Sequence, residues 1–293
     1  MKKIALPLMA VGMLLLAGAC SKDEPAAPQG PSTPLVEQAF TNVPYGNDPE
    51  QVYDIYLPAG RSTAKTKVVV LIHGGGWIQG DKADMDFVVD YLRLTHPDHA
   101  VVNINYVLAD SGVTKAFPSQ FLDLAAVLDQ VQAQQYQLQV KPEFALVGAS
   151  AGAHIALMYD YVYDTQDRVK LVADVVGPAD FTDPYYASNP MLPLAMMLLT
   201  DATAYPPGTN FPQALSPAWQ ASASSSPTIL FHGATDDLVP ASNGHTMDSV
   251  LAQHGVPHQL TIYPGGHSDW PETDMADMLG QVSDWIDMYL RVE

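Results

Sequence analysis

Apolar and polar positions along the chain switch between two rhythms. Short unbroken apolar or β-branched runs predict strands at Val52 to Leu57, Val68 to Ile72, Val101 to Ile104, Phe144 to Val147, Leu171 to Val176, Thr228 to Phe231 and Gln259 to Tyr263. Runs that do not alternate suit strands covered on both faces. Between them lie helix-length segments: Asp84 to Leu94, Gln120 to Gln134, Ala151 to Tyr163, Ser242 to His254 and Met275 to Tyr289. Strand–helix alternation predicts an α/β fold, a mostly parallel central sheet with helices on both faces. In such sheets reactive side chains gather on loops beyond the C-terminal ends of strands. A chemically active motif should therefore directly follow a strand.

Two stretches break the rhythm. Residues 183–226 are rich in Pro, Ala, Ser and Tyr and carry the apolar run Met191 to Leu199. Their length exceeds an ordinary connection and predicts a lid or substrate-binding insertion. Methionines there either adapt to varied apolar ligands or pack against the sheet. Residues 20–34 carry Pro, Ala, Ser and Gln without apolar periodicity, which suits a flexible tether. Residues 35–293 then form one catalytic-sized domain.

Ahead of the tether, Lys2 and Lys3 precede an uncharged apolar run from Ile4 to Ala19. This run is shorter than the ~20 residues a spanning helix needs and ends in small residues, so residues 1–19 read as a secretion signal. Leu16-Ala17-Gly18-Ala19-Cys20 resembles the lipobox of bacterial lipoproteins. The resemblance implies lipidation of Cys20, a membrane partner through that lipid anchor, and a place in the bacterial cell envelope. An outer-membrane lipoprotein facing the periplasm or the cell surface is the expectation. Ser21-Lys22-Asp23-Glu24 further resembles the acidic export tag of surface lipoproteins. Cys20 is the single cysteine, so it leaves no pair for a disulfide.

Charge and metal-ligand spacing narrow the function classes. With 32 acidic against 13 basic residues and a formal charge of −19, the chain would repel a phosphate backbone, which excludes nucleic acid as a partner. There is no His-Glu-x-x-His run and no paired cysteine, and His254 with His258 is an isolated pair, so no metal site is expected.

Two motifs meet the placement rule. Gly148-Ala149-Ser150-Ala151-Gly152 follows the strand ending at Val147 and opens a helix, the setting a G-x-S-x-G nucleophile elbow requires. The turn is sharp, so only small residues flank Ser150, and the helix N-terminus favours developing negative charge. His73-Gly74-Gly75-Gly76-Trp77 follows the strand ending at Ile72. Consecutive glycines let backbone N–H groups approach a substrate oxygen, and rigid N–H donors stabilise an oxyanion well. Gly75, Gly76 and Ala151 are the candidate donors, and Trp77 is a candidate substrate contact.

These residues carry a family resemblance. His73 to Trp77, Gly80-Asp81-Lys82 and Gly148 to Gly152 together are similar to the hormone-sensitive-lipase-like and bacterial carbohydrate-esterase branches of the α/β-hydrolase family. Val52 to Pro58 and Asn105-Tyr106 fit the same pattern, over roughly residues 43–290, with Ala153 standing where the family usually has glycine. The resemblance implies an α/β-hydrolase fold and hydrolysis of acyl esters without a metal or organic cofactor.

A serine hydroxyl needs a base, and the chain has nine histidines. The chain order Ser, acid, His of this fold excludes His73, His96 and His99. His154 lies one turn along the helix from Ser150, His232 precedes the acids, and His245, His254 and His258 lie on or near a helix. His267, in a loop after the strand Gln259–Tyr263 and after Gly265-Gly266, is the candidate base. The acid loop offers Asp236 and Asp237, with Asp180 on a less suitable loop. The family places its aspartate three residues before Val-Pro, which selects Asp236 against Val239-Pro240. The expected activity is serine carboxylic-ester hydrolysis, removing acetyl or feruloyl groups from carbohydrate or small esters. Alternatives are an arylformamidase or peptidase-type acyl hydrolase. A non-catalytic binding module would typically lack a triad member or the oxyanion glycines.

Overall fold

Eight strands form one sheet in the order β1-β2-β4-β3-β5-β6-β7-β8. They are β1 Gln38–Pro44, β2 Val52–Leu57, β3 Val68–Ile72, β4 Ala100–Ile104, β5 Phe144–Ala149, β6 Val169–Val175, β7 Thr228–Gly233 and β8 His258–Tyr263. β1 and β2 run antiparallel to their neighbours, and the other strands are parallel. The structure is a computed structural model that describes residues 35–292 apart from 111–112 and 189–190. The expected signal, Cys20 and the tether lie outside the described residues.

The unbroken apolar runs serve two faces. Along β3, Val68, Val70 and Ile72 enter one core while Val69 and Leu71 enter the other. On the first face pack α2 (Ser119–Ala133), extended by the short α3 (Gln135–Leu138), and α4 (Ala151–Met158), which runs on into a π-helical turn at Tyr159–Tyr163. On the second lie α1 (Asp86–Thr95), led in by a 3-10 turn at Lys82–Met85, and the C-terminal helix Glu272–Tyr289. The fold is the α/β-hydrolase fold, with a mostly parallel sheet between two helical layers.

Residues 183–226 form a run of short helices: α5 (Pro184–Ala187), α6 (Met191–Leu199), α7 (Phe211–Ala214) and α8 (Pro217–Gln220). The chain then resumes at β7 and continues into α9 (Ser242–His254), β8 and the C-terminal helix, α10. In α6, Met196 and Leu199 are buried in the core, whereas Leu194, Met197 and Leu198 face outward. Backbone bonds clip this segment to the start of α2: Phe117 N–H donates to Leu199 O at 2.9 Å, and Asp201 N–H to Phe117 O at 2.8 Å.

Candidate active site

Ser150 joins β5 to α4 with φ 52° and ψ −114°. A non-glycine residue in that region carries strain of order 1–3 kcal/mol, held by its surroundings. Its N–H is fixed by Val175 O of β6 at 2.7 Å. Gly152 explains why the elbow and the glycine loop meet: a Cβ there would fall 2.1 Å from Ile72 O and 2.4 Å from His73 O. The absent side chain lets α4 start against the end of β3.

His267 lies on the loop after β8, with Nε2 3.0 Å from Ser150 Oγ. Its Nδ1 is 2.7 Å from Asp236 Oδ2, on the loop after β7. Nδ1–H donating to the carboxylate leaves Nε2 free to accept the serine proton. Asp236 Oδ1 accepts the N–H groups of Leu238 at 2.8 Å and Val239 at 2.9 Å. Burial pushes the Asp236 carboxyl up, but the bonds from His267 and these two N–H groups outweigh it and hold the group below its ordinary value. The neighbouring candidates lie elsewhere. Asp237 is exposed, and its carbonyl accepts the Tyr185 hydroxyl. Asp180 accepts the N–H and hydroxyl of Thr182.

The His267 loop has its own supports, which the sequence pattern did not mark. Asp269 Oδ1 accepts Gly266 N–H at 2.5 Å, and Trp270 Nε1–H donates to Gly266 O at 2.8 Å. Both residues follow the histidine within one turn, and that proximity is the only signal the sequence carries for them.

The glycine loop is held from several sides. Gly75, Gly76 and Trp77 take φ values of 115°, 60° and 67°. The buried His73 ring stacks on Tyr106 at 4.3 Å and donates Nδ1–H to Gly74 O at 2.6 Å. Tyr106 OH donates to His73 O at 3.0 Å, and Gln120 Nε2 to Trp77 O at 2.8 Å. Meanwhile the N–H groups of Gly75 and Gly76 donate to no backbone carbonyl among the described residues. Ala151 opens α4, so its N–H has no partner within the helix. Fixed donors of this kind can stabilise charge without reorganising.

Trp77 is both wall and core. Its ring meets Phe117 at 5.4 Å and His154 at 5.3 Å, and it borders the cavity over Ser150. His154 is fully buried among these aromatic rings and donates Nε2–H to Leu215 O at 2.8 Å, away from Ser150. Burial lowers its pKa to about 4, so it stays neutral in ordinary conditions.

The cavity has a volume of about 1340 Å³ and reaches Ser150, His267 and the glycine loop. The insertion contributes Tyr185, Tyr186 and Ser188 to its wall, and none of the described α6 side chains. The adaptable-methionine reading of that helix therefore has no support at the cavity, and Met196 packs in the core instead. Among the described residues, no group of His, Cys, Asp and Glu has the arrangement of a metal site.

A sequence profile of the family described as BD-FAE matches residues 53–251, most of the chain. The chain belongs to the BD-FAE family. Among curated relatives, Esterase LipC of Mycobacterium tuberculosis is 23% identical over 217 residues, covering 69% of this chain and 52% of that protein. The kynurenine formamidase of Salmo salar is 31% identical over 121 residues, 41% of this chain and 38% of that enzyme. The chain thus spans about half or less of the length of these relatives. Among solved structures, a truncated carbohydrate esterase from gut microbiota superposes with a TM-score of 0.66 at 19% identity, covering 87% of this chain and 100% of that one. At that identity the likeness concerns the fold.

Proposed function

We propose that this BD-FAE family member is a serine carboxylic-ester hydrolase. The observation that carries the reading is the continuous relay from Asp236 Oδ2 through His267 to Ser150 Oγ, with links of 2.7 and 3.0 Å. His267 Nε2 takes the Ser150 proton as the oxygen attacks the ester carbonyl. The resulting oxyanion accepts the N–H groups of Gly75, Gly76 and Ala151. Collapse of the tetrahedral intermediate expels the alcohol, which takes the proton from His267. Water, deprotonated by the same nitrogen, then releases the acid from Ser150.

Acetyl or feruloyl groups on carbohydrate or small esters are the proposed substrates, with Trp77 as a contact to the bound group. The motif resemblance supports this choice, as do the esterases among the relatives. The N-terminal pattern supports a lipoprotein: a signal over residues 1–19, a lipid on Cys20, a tether to residue 34 and a hydrolase domain over 35–293 at the bacterial cell envelope. A second reading, hydrolysis of an aryl formamide, rests on the kynurenine formamidase relative. The same relay would serve it.

Turnover of a panel of acetylated xylan, a feruloyl ester, N-formylkynurenine and nitrophenyl acetate tests these readings, with Ser150→Ala as the control. Ester hydrolysis abolished by the substitution is expected. Activity confined to the formamide would replace the proposal by the second reading, and no activity on any substrate would leave a non-catalytic binding module.

A further inference from the structure

The cavity over Ser150 is larger than an acetyl group requires, since ordinary small-molecule sites occupy roughly 300–1,000 Å³, against about 1340 Å³ here. Its extra space lies on the α1 and α10 side of the sheet. Met85, at the end of the 3-10 turn before α1, Val88 of α1, and Met278 and Val282 of α10 line it and are 1–6% exposed. Val147 and Val175, from the strands that end beside Ser150, line it as well. Nearer the surface stand Phe87, Met275 and Leu279, all apolar. Charge appears only at the rim, where Asp84 and Asp237 are exposed.

Three further observations bear on what fills this arm. Ile78, Phe87 and Leu238 border the same cavity and are 57%, 50% and 63% exposed, so an apolar group meets apolar surface before it reaches the serine. Single exposed apolar residues are ordinary, but several around one cavity mouth mark a binding surface. Met85, Met275 and Met278 supply unbranched, flexible side chains, which adjust to a chain better than a rigid aromatic slot does. Finally, the lining includes Val147, Ala149 and Val175, at the strand ends beside Ser150. Apolar surface that begins at the nucleophile suits the half of the ester that stays on Ser150 through the covalent stage.

We infer that the arm between α1 and α10 is an acyl pocket for aliphatic chains well beyond acetyl. The inference rests on the ester-hydrolase reading and goes beyond the acetyl choice made within it: medium-length aliphatic acyl groups rank above acetyl. An apolar chain gains with each methylene buried, by up to about fourfold in kcat/KM if the gain is realised in the transition state.

Nitrophenyl acetate, butyrate, hexanoate and octanoate, each below its micelle concentration, give the direct test. The kcat/KM of the wild-type protein is expected to rise along the series, and Leu279→Trp to lower the octanoate-to-acetate ratio by roughly tenfold or more by filling the arm. The wild-type profile decides the matter even where the variant does not fold. A profile that falls from acetate onward overturns the inference and leaves the ester-hydrolase reading standing. So does a rise seen only when the alcohol of an acetate ester is lengthened, or a folded Leu279→Trp protein with an unchanged ratio. Hydrolysis of none of the esters overturns both together.

Discussion

Asp236 and Asp237 are adjacent in sequence and opposite in circumstance. One is 7% exposed, bonded to His267 and to two backbone N–H groups; the other stands in solvent at the cavity rim. Orientation of the imidazole and stabilisation of its protonated form belong to Asp236 alone in this geometry. Asp236→Asn is therefore expected to lower kcat by up to ~10⁴, through the wrong tautomer of His267. Asp237→Asn should change kcat less than about threefold, since an exposed charge at this distance is screened by solvent. Steady-state kinetics of the two purified variants make the check, and comparable losses in both would contradict the assignment. Residue choice here was legible only in part. Composition and spacing do not separate the two aspartates, and only the family pattern favours Asp236.

Strand ends do the positioning at the next scale. β5 delivers Ser150, β3 the glycine loop, β7 Asp236 and β8 His267, all just beyond the C-terminal ends of parallel strands. The last two loops touch at Gly233, where a Cβ would sit 2.2 Å from Gly266 O and 2.5 Å from Gly265 O. Both obstacles are backbone, so Gly233→Ala must displace the loop that carries His267. A displacement near 1 Å at a catalytic group costs on the order of 10² in rate. The variant is expected to melt as one cooperative unit while its kcat falls by about that factor, measured by calorimetry and ester turnover. Unchanged kcat would mean the loops separate freely. β3, β4 and β7 were readable because their buried runs are unbroken. β1 was not, because only Val43 of its residues is even half-buried and a bulge interrupts it between Phe40 and Val43. The short helices of residues 183–226 escaped for a related reason: proline at the first turn of α5, α7 and α8 resembles loop composition.

Across the whole molecule, one buried acid ties distant parts together and should show in the stability curve. Asp160 lies in the π-helical turn after α4 and accepts Ser226 N–H at 2.9 Å and Ser226 Oγ–H at 2.7 Å, just before β7. Burial raises its pKa from 3.8 to about 7, against the lowering effect of those bonds. The folded state then holds this proton where the unfolded chain has lost it. Its contribution to stability is fully present below the unfolded value and is lost as pH rises from about 4 to about 7. Denaturant titrations across that range should show wild-type stability falling with pH relative to that of Asp160→Asn, by a slope of up to one proton. Equal slopes in the two proteins would contradict it. The cavity arm is also a property of this scale. Its walls come from α1 and α10, separated by most of the chain, so no local pattern announces that their apolar faces leave a passage to Ser150.

Covalent labelling of Ser150 tests the central claim most directly. The wild-type protein is treated with a fluorophosphonate and the modified peptide is located by mass spectrometry. One label per chain, on Ser150, is expected, abolished by Ser150→Ala and strongly slowed by His267→Ala. Labelling at another residue, or ester turnover that persists with Ser150 replaced, would contradict the account.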